Sequence, residues 1–188
     1  MTMILGIAGS PTAPSRSTAV VRTMLGNLEQ RGYQIELLAV RDLDADELLK
    51  ARWDGATIKA AIQQVSKADG IIIATPIYKA AYTGILKAFL DLLPRQAFKD
   101  KVILPMATAG SLLHKLALDY ALNPVLSELG SEVIVRSLYL TDPQIAYDDN
   151  EAITRMDPEA DERIRRATTE FIDLLSRMKN TQNEFVNA

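Results

Sequence analysis

Three apolar runs in this chain, Met3–Ala8, 70–75 and 102–107, have no polar face. A strand of that kind must be covered on both sides, which places it in the centre of a parallel sheet. Two other runs alternate instead. Residues 33–40 set Ile35 and Leu37 against Gln34 and Glu36, and residues 132–140 set Glu132, Ile134 and Arg136 against Val133 and Val135. These read as edge strands. Helical patterns fill the intervals at 18–31, 56–67, 84–93 and 112–129. A last helix opens with Asp157 as its cap and Pro158 in first position, and its apolar face runs from Ile164 through Phe171 to Met178. Strands one, three and four are then central, with two and five at the edges.

The expected fold is therefore α/β, a flavodoxin-like doubly wound sheet of five parallel strands in the order 2-1-3-4-5. A chain of 188 residues suits one domain, expected over residues 1–178 with a polar C-terminal tail at 179–188. The formal net charge is −3 and no run of five basic residues occurs, so no nucleic-acid partner is expected. With no cysteine, thiol catalysis and disulfides are excluded, and with one histidine no metal site is assigned. No apolar run approaches the roughly 18 residues that span a bilayer, and Met3–Ala8 is too short for a signal core. No membrane association is expected, and the expected location is cytoplasmic.

In an open parallel sheet, ligands bind at the carboxyl ends of the strands near the switch point between strands one and three. Three loops meet there. The first, GSPTAPSRST, offers the hydroxyls of Ser10, Ser15, Ser17 and Thr18 and the guanidinium of Arg16 at the start of a helix. Hydroxyls, backbone N–H groups and the positive helix end together suit a phosphate. The loop is neither a P-loop nor a dinucleotide fingerprint, since the required glycines and lysine are missing. In the second loop, TPIYKAAYTG, the backbone at Pro76 and Ile77 and the ring of Tyr78 either support a flat ligand ring or cover the core. Lys79 is either a contact or a solvated lysine. The third loop brings Thr108, Ala109 and Gly110, whose low bulk lets a backbone N–H approach a ligand. His114 follows, as a donor near the ligand or merely a helix-start residue. Trp53 reads as a lid over the core, with stacking on a flat ligand ring as the alternative, and the acidic stretch from Asp142 to Asp161 as a solvated loop.

Taken together, the segments GSPTAPSRS at 9–17, ADGIIIATPIYKAAYTGILKAFLDLLP at 68–94 and LPMATAGSLLHKLALDYALNPVLSEL at 104–129 resemble the NAD(P)H-dependent FMN reductases. Within that family they are most similar to the reductases that supply sulfonate monooxygenases. The resemblance implies FMN and NAD(P)H as cofactors, phosphate contacts at Ser10, Arg16, Ser17 and Thr18, and ring contacts at Pro76, Ile77, Tyr78 and the loop of Thr108, Ala109 and Gly110. Thr12, Lys79 and His114 complete the candidate set. Thr12 stands where sulfonate-linked members carry arginine, Lys79 where many members carry asparagine, and Ala109 where a Gly-Gly pair is common. The implied activity is NAD(P)H-dependent reduction of FMN, with reduced flavin passed to a partner FMN-dependent monooxygenase. The alternative keeps FMN bound and reduces quinones, azo dyes or chromate. No side chain is expected to act as acid or base, so hydride transfer rests on cofactor alignment.

Pro124 lies inside the pattern at 112–129 and has no N–H for the carbonyl of Tyr120, so that helix must bend or bulge. Members of the two-component group resemble this, with a π-type bulge at a subunit contact. The apolar surfaces at 84–93 and around Tyr120 exceed one sheet-facing stripe. A homo-oligomer, dimer or tetramer, is expected, with Phe89 and Tyr120 at the contact.

Overall fold

The computed structural model describes residues 2–186, with side chains up to Thr181. The chain runs β1 (Met3–Ala8), α1 (Arg16–Glu29), β2 (Gln34–Ala39), α2 (Ala45–Leu49), α3 (Ala56–Lys67), β3 (Gly70–Pro76), α4 (Gly84–Leu92) and β4 (Val102–Ala109). It continues with α5 (Asn123–Glu128), β5 (Val133–Ile134), β6 (Leu138–Thr141), β7 (Ile145–Tyr147), β8 (Ile153–Met156) and α6 (Pro158–Val186). The main sheet has the order β2-β1-β3-β4-β5 and is parallel throughout, as the run pattern requires.

Side-chain alternation splits the core between the two faces of this sheet. Leu5, Ile7, Ile71 and Ile73 face a cluster with Ile58 of α3 and with Leu86, Phe89 and Leu90 of α4. Ile4, Ile72, Ala74 and Met106 face the other cluster, with Val20, Met24 and Leu28 of α1 and with Ile164, Phe171 and Leu175 of α6. Gly70 permits the closest approach there, because a Cβ at that position would lie 2.6 Å from Cζ of Phe171.

The expected fifth strand is two strands, β5 and β6, both on the same edge of β4. Ile103 pairs with Ile134 and Met106 pairs with Leu138, so this edge carries one residue more than β4 does across the break. Pro105 accounts for it. The Ile103 carbonyl accepts from Val135 N–H, and residue 105, two further on, faces the same edge without an N–H to give. A proline inside a strand removes a ladder bond, and a bulge absorbs the loss.

Three other expectations change. The stretch after Asp142 is not simply a solvated loop, since it contains the antiparallel hairpin β7–β8. Of the expected tail at 179–188, residues 179–186 continue α6 and 187–188 lie outside the described residues, and Lys179 ties that helix to Asp69 at 2.8 Å. Trp53 is exposed and lids nothing. Among the described residues no helix is long and apolar enough to cross a membrane.

Candidate active site

The carboxyl ends of β1, β3 and β4 form a cleft of about 170 Å³. It is lined by Ser10, Thr12, Pro14, Ser15 and Arg16 from the first loop, by Pro76, Ile77 and Tyr78 from the second, and by Thr108, Ala109 and Gly110 beside β4. Asp142 and Tyr147 close it.

Backbone and hydroxyl bonds lock the three segments together. Gly9 N–H donates to the Ala74 carbonyl at 2.7 Å, and Ile77 N–H donates to the Thr108 carbonyl at 2.9 Å. Thr83, the cap of α4, donates its hydroxyl to the Gly9 carbonyl and accepts from Leu86 N–H. Gly9 must be glycine for α4 to come this close, since a Cβ there would lie 2.9 Å from Cβ of Leu86. On the β4 side, burial first and the Asp142 carboxylate second push the Tyr139 phenol above its ordinary pKa. It stays protonated and donates to the Ser111 carbonyl at 2.6 Å, fixing the start of the third loop.

The first loop gathers hydroxyls, a helix start and one arginine at the cleft. Ser15 caps α1 and accepts from Thr18 N–H, and the first turn of that helix has no acidic residue. Ser10 is buried at the cleft floor, and its Oγ reaches the Oγ1, carbonyl and N–H of Thr12 at 3.3–3.4 Å. Arg16 reaches across the cleft. Its Nε donates to the Ile145 carbonyl at 3.0 Å, its Nη1 meets Asp142 Oδ1 at 2.8 Å, and its Cζ lies 5.2 Å from the Tyr147 ring centroid. The second loop turns tightly, with Tyr78 and Ala81 exchanging backbone bonds around Lys79 and Ala80. Those two residues have φ of 50° and 66°, a conformation that non-glycine residues adopt at a cost and that concentrates at functional sites.

Nine of the expected contact residues therefore converge: Ser10, Thr12, Arg16, Pro76, Ile77, Tyr78, Thr108, Ala109 and Gly110. Four do not line the cleft. Ser17 and Thr18 are fully buried behind it, where Ser17 Oγ bonds Ser15 Oγ at 3.1 Å and Thr18 Oγ1 accepts from Arg41. Their side chains shape the loop from behind. Lys79 and His114 are exposed, with Lys79 at the apex of its turn and His114 in a short 3-10 turn after Ser111. Asp142 and Tyr147 were not among the expected residues. Their signal is the short run Ile145–Tyr147, and Ile153 and Met156 beyond it, around the turn formers Asp148, Asp149 and Asn150, a hairpin pattern. Asp148 Oδ1 accepts from the N–H groups of both Asn150 and Ala152 at 2.9 Å.

The model for NADPH-dependent FMN reductases matches residues 2–144. The chain belongs to the FMN reductase family. It is 38% identical over 175 residues to an FMN reductase (NADPH) of Pseudomonas putida, covering 93% of this chain and 89% of that one. A second FMN reductase (NADPH), from Escherichia coli, is 43% identical over 145 residues, covering 76% and 74%. Among solved structures, an NADH:FMN oxidoreductase in its apo form superposes with a TM-score of 0.82 at 38% identity, covering 91% of this chain and 88% of that one. The enzyme is an NAD(P)H-dependent FMN reductase and uses FMN and NAD(P)H.

The donor set of this FMN reductase fits the flavin mononucleotide. A hydroxyl-rich loop at a helix start, free of acidic residues in the first turn, suits a phosphate, and the flat backbone at Pro76 and Ile77 beside Tyr78 suits an aromatic ring. FMN supplies the two-electron chemistry when bound. The chain supplies orientation. The loop would hold the phosphate end, and the β3 and β4 ends would hold the ring. The titratable side chains lining the cleft are Arg16, Tyr78, Asp142 and Tyr147, with Asp142 engaged by Arg16, and His114 is not among them. His114→Ala is accordingly expected to keep turnover at saturating FMN and NADPH within about 3-fold of wild type. A fall beyond ~100-fold, the size of a lost acid or base, would put His114 in the chemistry.

Proposed function

We propose that this FMN reductase treats FMN as a substrate and releases reduced FMN to a partner FMN-dependent monooxygenase of the sulfonate type. One observation carries this reading: Arg16, the one arginine among the described residues that lines the cleft, is already shared with Asp142, the Ile145 carbonyl and the Tyr147 ring. A phosphate must compete for it, which favours a flavin that leaves over one held permanently. The similarity of the three loop segments to reductases of two-component systems supports the partner. An NADH-dependent FMN reductase, SfnF of Pseudomonas fluorescens, is 32% identical over 148 residues and covers 76% of this chain and 78% of its own. The site we propose uses Ser10, Thr12 and Arg16 for the phosphate and Pro76, Ile77, Tyr78, Thr108, Ala109 and Gly110 for the ring. The proposed location is the cytoplasm, which holds the NAD(P)H pool.

We also propose a homo-oligomer built on the segment around Tyr120. The bulge expected at Pro124 is a π-helix over Leu118–Leu122, the type that the resemblance implied. Leu112, Leu113, Leu116 and Tyr120 are all more than half exposed beside the cleft, a large apolar patch for a monomer. Phe89 does not belong to that surface, because it is fully buried in the core.

The test of release is a comparison of acceptors. NADPH oxidation is followed with FMN, a quinone or an azo dye, and the protein is dialysed to see whether flavin stays with it. Fast oxidation with FMN and loss of flavin on dialysis are expected. Flavin that survives dialysis, with a quinone or azo dye reduced faster than added FMN, would replace this reading with that of a bound-flavin quinone or azo reductase.

A further inference from the structure

Behind the first loop lies a charge cluster that the cleft does not include. Glu151 follows the β7 strand with φ of 61°, and its side chain is only 6% exposed. Its Oε1 accepts from Ser15 N–H at 3.0 Å and from Arg41 Nη2 at 2.9 Å, and its Oε2 accepts from Arg22 Nη2 at 3.4 Å. Arg41 stands just beyond β2, with a side chain 14% exposed. Its Nη1 donates to the Thr12 carbonyl at 2.6 Å and to Thr18 Oγ1 at 3.4 Å. The pair thus grips the loop at Thr12, Ser15 and Thr18, three points that bracket the cleft-lining residues Thr12, Pro14, Ser15 and Arg16. A buried carboxylate is tolerated only when its oxygens are paired, and here every bond it makes goes to the loop, to α1 or to the arginine that holds the loop.

We propose that Glu151 and Arg41 are positioning residues for the phosphate end of FMN. By fixing the spacing of the loop's donors, they set the enzyme's preference for FMN over riboflavin, which has the same ring and no phosphate. The proposal rests on the reading of the cleft as the phosphate site. Neither residue lines the cleft, so the effect passes through the loop. A displacement of about 1 Å in a binding constellation is enough to cost up to two orders of magnitude.

The experiment measures dissociation constants of FMN and riboflavin by flavin fluorescence quenching. Glu151→Gln keeps the shape and an acceptor for Ser15 while removing the charge that holds Arg41. Arg41→Met removes the other half. Each is expected to weaken FMN binding about 10-fold and riboflavin binding less than 2-fold. The double variant is expected to be no worse than the poorer single one, as for residues acting as one unit. Arg41→Lys, which keeps the charge without the guanidinium fork that reaches Glu151, Thr12 and Thr18 together, is expected to fall between and serves if Glu151→Gln does not fold. An equal loss for both flavins, or unchanged FMN affinity in a folded variant, overturns the proposal. Arg16→Ala separates the two readings. If it leaves FMN affinity unchanged, the phosphate site and this proposal fall together. If it weakens FMN while Glu151→Gln and Arg41→Met do not, only the positioning role falls.

Discussion

Replacing Arg16 with alanine is expected to weaken FMN binding by roughly 10- to 100-fold and to leave riboflavin binding nearly unchanged. A hydrogen bond to a charged group contributes about 1.5–3 kcal/mol, which corresponds to that range. The guanidinium sits at the first residue of α1, lines the cleft and is three-quarters buried at the side chain. Its present partners are a carboxylate, a carbonyl and an aromatic face, so a phosphate dianion offers it a stronger partner than any it leaves. Arg16→Lys is expected to recover part of the affinity, since it keeps the charge without the planar fork. Arg16→Ala also removes the ties of α1 to Ile145 and Asp142, leaving those that Ser15 and Arg22 make to Glu151. A thermal melt therefore accompanies the titration, and a fall in FMN affinity without a matching fall for riboflavin separates the two effects. Equal affinity of wild type and Arg16→Ala for FMN would remove this residue from the site.

Phe89→Ala and Tyr120→Ala are expected to fail in opposite ways. Phe89 has no exposed surface and packs in the core face shared by α4 and α3, so its truncation leaves a cavity. Losses of about 3–5 kcal/mol are usual for such a change. At roughly 2–4 °C per kcal/mol for a chain of this size, the melting temperature falls by roughly 6–20 °C. The assembly state of the folded fraction does not change. Tyr120 is 80% exposed on the π-helical turn, so its truncation is expected to leave the fold's stability within about 0.5 kcal/mol and to shift sedimentation toward the monomer. A wild-type mass near 20.7 kDa at micromolar concentration, with and without FMN, would sink the oligomer. A Phe89→Ala protein that melts like wild type would contradict the core as described.

Sequence periodicity carried a good deal of this. The central strands were legible because a segment with no polar face has nowhere to go but between two layers, and Leu5, Ile72 and Leu104 are indeed fully buried. The start of α6 at Asp157 was legible as capping chemistry, whereas α1 is capped by Ser15 and begins two residues earlier than its apolar face suggests. The bulge near Tyr120 followed from one missing N–H at Pro124. The break between β5 and β6 had the same kind of signal in Pro105, hidden because a hydrophobic run draws attention to its apolar residues rather than its donors.

Periodicity does not say which of several apolar helices covers which. The surface at 84–93 is sealed inside the chain, in a cluster with Leu48 of α2, Phe98, Leu118 and Leu122, and not by α6, which lies in the other cluster. That is why Phe89 is core and Tyr120 is surface, though both are aromatics in leucine-rich helices. The partners of the charged residues were equally beyond reach. Arg16 meets Asp142, and Arg41 meets Glu151 across 110 positions of sequence. Local propensity and hydrophobic period act over a few residues and belong to the sequence itself. Ion pairs and contacts between distant segments exist only once the sheet has assembled, so the hydroxyls and the arginine of the first loop were readable from its residues, while the hairpin and the buried glutamate that hold it were decided by the tertiary fold.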